Sequence, residues 1–193
     1  VSTQSTGELQ NWISCLSPFL FSYTGITISI ALSIFGAGSG IFMIGTSLNQ
    51  ATVHHPEIKS KNLISILFCE AIALYGVIMA IIIITQQPKD NLPEFIYKYA
   101  GAQGPQFYDR DILKYEVKIS NAGYGQGFGC AAVGFSNIVA AFTVGVLGSS
   151  LVVANANSAS IFVKLFISEV FAEAIALIGL ICGIVMATSV SYQ

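Results

Sequence analysis

Three glutamates, Glu70, Glu169 and Glu173, sit inside long apolar runs, where an ionised side chain is costly. Glu70 follows Lys61 by nine residues, and Glu173 follows Lys164 by the same interval. On a helix that rises 1.5 Å per residue, nine residues cover about 14 Å, close to the middle of a hydrocarbon layer roughly 30 Å thick. A charge at that depth costs about 2.5–3.5 kcal/mol on insertion scales. Desolvation therefore favours the neutral, protonated carboxyl. Such a group can hold a proton in the apolar phase and release it where water or a cation stabilises the carboxylate, which is the chemistry of a proton carrier. Glu70 is the primary candidate and Glu173 a possible second carrier. Glu169 stands one helical turn before Glu173 on the same face. Two carboxyls that close in low dielectric should not both ionise and would titrate as a coupled pair. One would carry protons while the other is held neutral by a polar neighbour, with Ser136 and Asn137 as candidates for that support. For Glu169 a purely structural hydrogen bond to a neighbouring helix is the favoured reading.

The composition says what solvent surrounds these carboxyls. Of 193 residues, 54% are hydrophobic and 9% charged, against about 25% charged in a soluble domain. With a mean hydropathy of +0.72, there is too little polar surface to coat a water-soluble particle. The net charge is −2 and no basic run occurs, so nucleic acid is not an expected partner. No Gly-x-x-x-x-Gly-Lys-Ser/Thr stretch is present to cradle a nucleotide phosphate, so the chain is not expected to hydrolyse ATP itself. Cys15, Cys69, Cys130 and Cys182 lack metal-ligand spacing, and the last three read as small buried apolar side chains. His54 and His55, beside Pro56, read as a solvated or partner-contacting turn rather than a metal site. Neither a cofactor nor a metal is expected.

Four segments are long and apolar enough to cross a bilayer, at about 22–48, 61–85, 123–153 and 160–189. Short polar turns join the first to the second and the third to the fourth, so each pair is an antiparallel hairpin. The expected organisation is an interfacial N-terminal segment at 1–21 around Trp12, a first hairpin at 22–86, an extramembrane loop at 87–121 and a second hairpin at 122–190.

The two hairpins repeat one another. Glu70-Ala71-Ile72-Ala73-Leu74 recurs as Glu173-Ala174-Ile175-Ala176-Leu177, a shift of 103 residues. The same shift lays Gly45 on Gly148, Lys61 on Lys164, Ser65 on Ser168 and Phe68 on Phe171. With an even number of helices per repeat, both copies share one orientation, as suits a ring of equivalent hairpins. Gly36, Gly38 and Gly40 in the first segment, and Gly127, Gly129, Gly134 and Gly145 in the third, are small residues that let helix backbones approach closely. They predict a tight inner layer of helices one and three, with helices two and four carrying the carboxyls outward.

These residues resemble the proteolipid subunits of vacuolar-type proton ATPases, closest to the c″ (c double-prime) type. The likeness rests on Ser17-Pro18-Phe19, on Lys59-Ser60-Lys61-Asn62-Leu63 leading into Phe68-Cys69-Glu70-Ala71, and on Gly134-Phe135-Ser136-Asn137 with Phe162-Val163-Lys164. The resemblance implies an all-α membrane protein of two tandem parallel-repeat hairpins within a rotary c-ring, preceded by a further N-terminal helix. It implies partners of four kinds: other c-type proteolipids in a mixed ring, subunit a with arginine-bearing half-channels, a central-stalk subunit at the cytosolic turns, and lipid. It places the protein in the membranes of vacuole-, lysosome- or endosome-type organelles, with Glu70 as the essential carboxyl. Glu173 departs from the c″ pattern, which has small residues there, and matches the position where the ordinary c-type proteolipid keeps its glutamate. The alternatives are an ordinary c-type proteolipid and a non-ATPase channel or junction protein of four helices.

Overall fold

A computed structural model describes residues 18–55, 62–87, 110–158 and 160–190. Four helices follow in order: α1 (Pro18–His54), α2 (Leu63–Gln86), α3 (Arg110–Asn157) and α4 (Phe162–Ser189). Each contains a stretch long and apolar enough to cross a membrane. In hydrocarbon, backbone N–H and C=O groups have no water to bond, so a helix is the conformation that satisfies them within the segment. That constraint keeps the glycine-rich stretch of α3 at 123–129 helical, although each glycine costs about 1 kcal/mol of helix propensity relative to alanine. Proline sets two of the boundaries. Pro18 occupies the first helical position of α1, where its missing N–H is no loss. Gln87, just before Pro88, is already extended with φ −63° and ψ 139°, as sterics before a proline demand.

One boundary differs from expectation. The loop read at 87–121 gives way to helix at Arg110, so its last twelve residues belong to α3. This stretch contains neither glycine nor proline, and its Ile, Leu, Lys and Glu residues favour helix. The remainder of the loop, with its prolines, and the N-terminal segment with Trp12 and Cys15 lie outside the described residues.

The most extensive contact joins α1 to α3. A Cβ placed on Gly25 would stand 2.6 Å from the Gly127 Cα, one on Gly36 2.9 Å from the Ile138 Cα, and one on Gly145 2.8 Å from the Gly40 Cα. Gly40, Gly127 and Gly134 face α1–α3 backbone at similar range, while Gly129 faces the Gly183 carbonyl of α4 at 3.0 Å. Gly38 differs, because nothing lies within 4 Å of its Cβ position. Outside this inner pair stand α2 and α4; among the described residues α4 makes no contact with α1.

The sequence repeat is also a repeat of contacts. Gly76 of α2 sits against Ser33 of α1, and Gly179 of α4 sits against Ser136 of α3. Both members of the second pair lie 103 residues beyond those of the first. Two apolar clusters fill the interior: one around Ile44, Ile72, Val144 and Ala176, the other around Ile26, Met79, Val133 and Leu180. Between them a polar layer crosses the bundle, where Asn137 Nδ2 donates to Ser33 Oγ at 2.8 Å. Cys69 and Cys130 are buried as expected, whereas Cys182 is exposed on α4. Large apolar side chains such as Phe42, Phe128 and Phe171 point outward, a liability in water and the required surface in lipid.

Gly25→Ala should lower the stability of the detergent-solubilised chain by about 1–3 kcal/mol, because two backbones would have to separate. Gly38→Ala, with open space at its Cβ position, should not lower it and should raise it by up to about 1 kcal/mol. Denaturant titration of both variants checks the contrast.

Candidate proton-carrying site

The structure separates the three glutamates into two environments. Glu70 is exposed on the outer side of α2. Glu169 is fully buried and Glu173 is 7% exposed, both in the cleft between α2 and α4. The expectation that helices two and four carry their carboxyls outward therefore holds for Glu70 and fails for Glu169 and Glu173. The reason is lateral. The side of α4 bearing its glutamates packs on α2, and the matching side of α2 has no partner helix within the described chain.

Each cleft glutamate has one hydroxyl donor. Ser65 Oγ donates to Glu169 Oε2 at 2.9 Å, and Tyr75 OH donates to Glu173 Oε1 at 2.8 Å. Glu169 Oε1 and Glu173 Oε2 have no hydrogen-bond partner among the described residues. Gly148 makes room for the deeper carboxyl, since a Cβ there would lie 3.0 Å from Glu169 Oε1. Phe68 of α2 stacks on Phe166 of α4 across the same pair of helices, with ring centroids 5.8 Å apart. A carboxylate held by one donor in such surroundings is poorly compensated. A carboxylic acid needs fewer partners and supplies a donor of its own.

Ser136 and Asn137 reach none of the glutamates. Ser136 Oγ donates to the Ile175 carbonyl at 3.3 Å, and Asn137 Nδ2 donates to Ser33 Oγ and, at 3.5 Å, to the Ile72 carbonyl. Asn137 faces α1 and α2 across the inner layer, and Ser136 is taken up by the close α3–α4 crossing at Gly179. The supporting groups are Ser65 and Tyr75 of the opposite hairpin, which sequence reasoning passed over. A trace of them was available: Tyr75 has Ile178 as its repeat mate, and Ile66 has Glu169. Hydroxyl and carboxyl thus differ between the repeats on opposite helices.

Away from the glutamates, Gln126 is buried at the other end of the bundle. It accepts from Ser22 Oγ and Gln87 Nε2 at 3.0 Å each and ties the end of α2 to the inner layer. His54 and His55 are exposed at the opposite end, beside a shallow pocket that Gln50, Val153 and Asn157 also line. No group of three His, Cys, Asp or Glu side chains that could hold a metal occurs among the described residues.

Two stretches, 24–83 and 127–186, match the family of the ATP synthase C subunit, and they begin 103 residues apart, as the internal repeat does. The c″1 subunit of the V-type proton ATPase of Arabidopsis thaliana is 38% identical over 189 residues, covering 96% of this chain and 94% of that protein. Its c″ counterpart in Saccharomyces cerevisiae is 34% identical over 175 residues, covering 91% of this chain and 73% of that protein. The 16 kDa c-type proteolipid of the V-type proton ATPase of Bos taurus is more distant, 26% identical over 168 residues, covering 87% of this chain and 91% of that protein. The higher identity to the c″ proteins decides against an ordinary c-type chain, and the family match decides against a junction protein. The chain belongs to the ATP synthase C-subunit family, with the V-type proton ATPase c″ proteolipids, as a non-catalytic multi-pass membrane subunit.

Proposed function

We propose that Glu70 is the obligatory proton carrier of this subunit within a V-type rotor ring. The carrying observation is its exposure on the outer side of α2, about two turns from the start of the helix, among the outward-facing Leu67, Leu74 and Val77. A carboxyl placed there is open both to lipid and to a static neighbour sliding past. In this reading Glu70 takes a proton from one half-channel of subunit a and crosses the lipid as the neutral acid. It gives the proton up where an arginine of subunit a stabilises the carboxylate. ATP hydrolysis in other subunits drives the rotation. The ring neighbours are other proteolipids, and the central stalk meets the turn end near His54 and Asn157. The membrane is that of an acidic organelle such as a vacuole, lysosome or endosome.

Glu173 is the second carrier in this reading, held by Tyr75 until the α2–α4 cleft opens. Glu169, fully buried and bonded to Ser65, stays protonated as a structural acid.

In vesicles whose sole copy of this chain is Glu70→Gln, ATP-driven acidification should fall to background with the ring still assembled. Normal pumping would make the carboxyl structural. Glu173→Gln should slow acidification without abolishing it, and an unchanged rate in an assembled enzyme rejects a carrier role. A hydrophobic carbodiimide, which modifies protonated acids in lipid, should label Glu70 fastest, Glu173 slowly and Glu169 hardly at all, as read by peptide mass spectrometry. Tyr75→Phe should raise labelling of Glu173 several-fold and leave Glu70 unchanged.

A further inference from the structure

Asn62 stands at the start of α2, where a short polar side chain ordinarily bonds a free backbone N–H of the first turn. It makes no such capping bond. Its amide is fully buried instead, with neither Nδ2 nor Oδ1 bonded among the described residues. Burying an amide without partners is costly, and helix capping does not account for the residue type. One turn further along the same buried side of α2 is Ser65, whose hydroxyl donates to Glu169 Oε2 at 2.9 Å. Glu169 lies one turn from Glu173 on α4, a spacing at which side chains are neighbours. The unpartnered oxygens of these two carboxyls are Glu169 Oε1 and Glu173 Oε2. From the turn end inward the order is amide, hydroxyl, carboxyl, carboxyl. It ends at Tyr75, which donates to Glu173 Oε1 at 2.8 Å.

The internal repeat shows that this row belongs to one half of the molecule. Asn62 is matched by Leu165, Glu169 by Ile66 and Tyr75 by Ile178, while Ser65 is matched by Ser168, which is exposed. The carboxyl at the inner end is the one polar member buried in one copy and also present as a carboxyl in the other, Glu173 with Glu70. The matching positions therefore hold no polar row leading to Glu70, whereas Glu173 has one that starts at a helix end.

Resting on the reading of Glu173 as a carrier, we propose that Asn62, Ser65 and Glu169 form a proton relay inside the subunit. It joins the turn end of the bundle to Glu173 while the α2–α4 cleft stays closed. Water held by the Asn62 amide supplies the proton. The Ser65 O–H bond breaks as a bond from that proton to Glu169 Oε2 forms, and the serine oxygen takes a replacement proton from the water. Glu169 Oε1 gives its own proton to Glu173 Oε2. Ser65 and Glu169 are neutral before and after, so the net change is one proton lost by the water and one gained by the Glu173 carboxylate. The reverse sequence returns it. Glu173 thus exchanges protons by a route of its own, and Glu70 only with what meets the outer side of α2.

Infrared spectroscopy of the full chain in lipid vesicles transferred to heavy water tests this, because the C=O stretch of a carboxylic acid moves on deuteration. The Glu173 and Glu70 bands are assigned by their loss in Glu173→Gln and Glu70→Gln. Ser65→Ala and, separately, Asn62→Leu (Leu165 being its repeat mate) should each slow exchange at Glu173 by about a hundredfold, the lower range for a positioned proton-transfer group. Ser65→Thr, which keeps the hydroxyl, should exchange at the original rate, and Glu70 should be unaffected throughout. A bond that only held the cleft together would have the opposite effect, since its loss loosens the cleft and speeds exchange. Exchange at Glu173 that is unchanged or faster in either variant overturns the relay and leaves the carrier reading standing. A Glu173 band that never exchanges in the unaltered chain removes both.

Discussion

Everything outward of the inner layer depends on the backbone contact between α1 and α3. Where Gly25 meets Gly127 and Gly145 meets Gly40, no side chain separates the two helices. Lipid tails are as apolar as the side chains they would replace, so helix association in a bilayer draws on packing and hydrogen bonds. Close glycine contacts supply the packing over the length of the bundle. With the inner pair held this tightly, the outer helices can lie only on its flanks, each anchored at a glycine–serine crossing, Gly76 on Ser33 and Gly179 on Ser136. Those two crossings set the rotation of α2 and α4, and so the direction in which their carboxyls point.

Rotation of the outer helices produces two chemically distinct carboxyl environments from one repeated motif. The glutamates of α4 point sideways into the cleft with α2, where Ser65 and Tyr75 meet them. Glu70 points sideways in the same sense and meets no other helix among the described residues. Its exposure follows from standing at the end of the two-hairpin series that the described residues form. A proton carrier needs both conditions in turn, a dry place to remain neutral and a charged or wet place to ionise. An open flank next to a neighbouring subunit can present each as the surroundings change.

Glu169 shows how a duplicated element can diverge. Its repeat mate is Ile66, partly buried against the apolar cluster around Ile44 and Ile72, whereas Glu169 lies in the covered cleft against Gly148. A carboxyl there adds a polar link between hairpins without disturbing the outward site. The Asn137–Ser33 bond and the Gln126 cluster do similar work along the α1–α3 seam, tying apolar helices in register where packing alone leaves them free to slide.

Membrane residence, four apolar helices, their pairing into hairpins, the duplication and the placing of three glutamates within the helices were all legible in the residues. Each depends on hydropathy, chain length or spacing along a helix, quantities that are local to the chain. The glycines of close approach were legible as a group, yet Gly38 was indistinguishable from Gly36 and Gly40 until helix rotation turned it away from any neighbour. Direction was the missing quantity. Spacing puts Glu169 and Glu173 on one face of α4, but which helix that face meets depends on how α4 rolls against α3 at Gly179. Ser65 and Tyr75 became partners of these glutamates only through contacts between the two hairpins, far apart in sequence. Ser136 and Asn137, near them in depth, were drawn to α4 backbone and to α1 and α2 groups instead. The sequence alone determined that carboxyls lie inside long apolar helices. The tertiary structure decided which are sealed inside and which is left open, because covering a helix face requires another helix and the four described helices cover one side only.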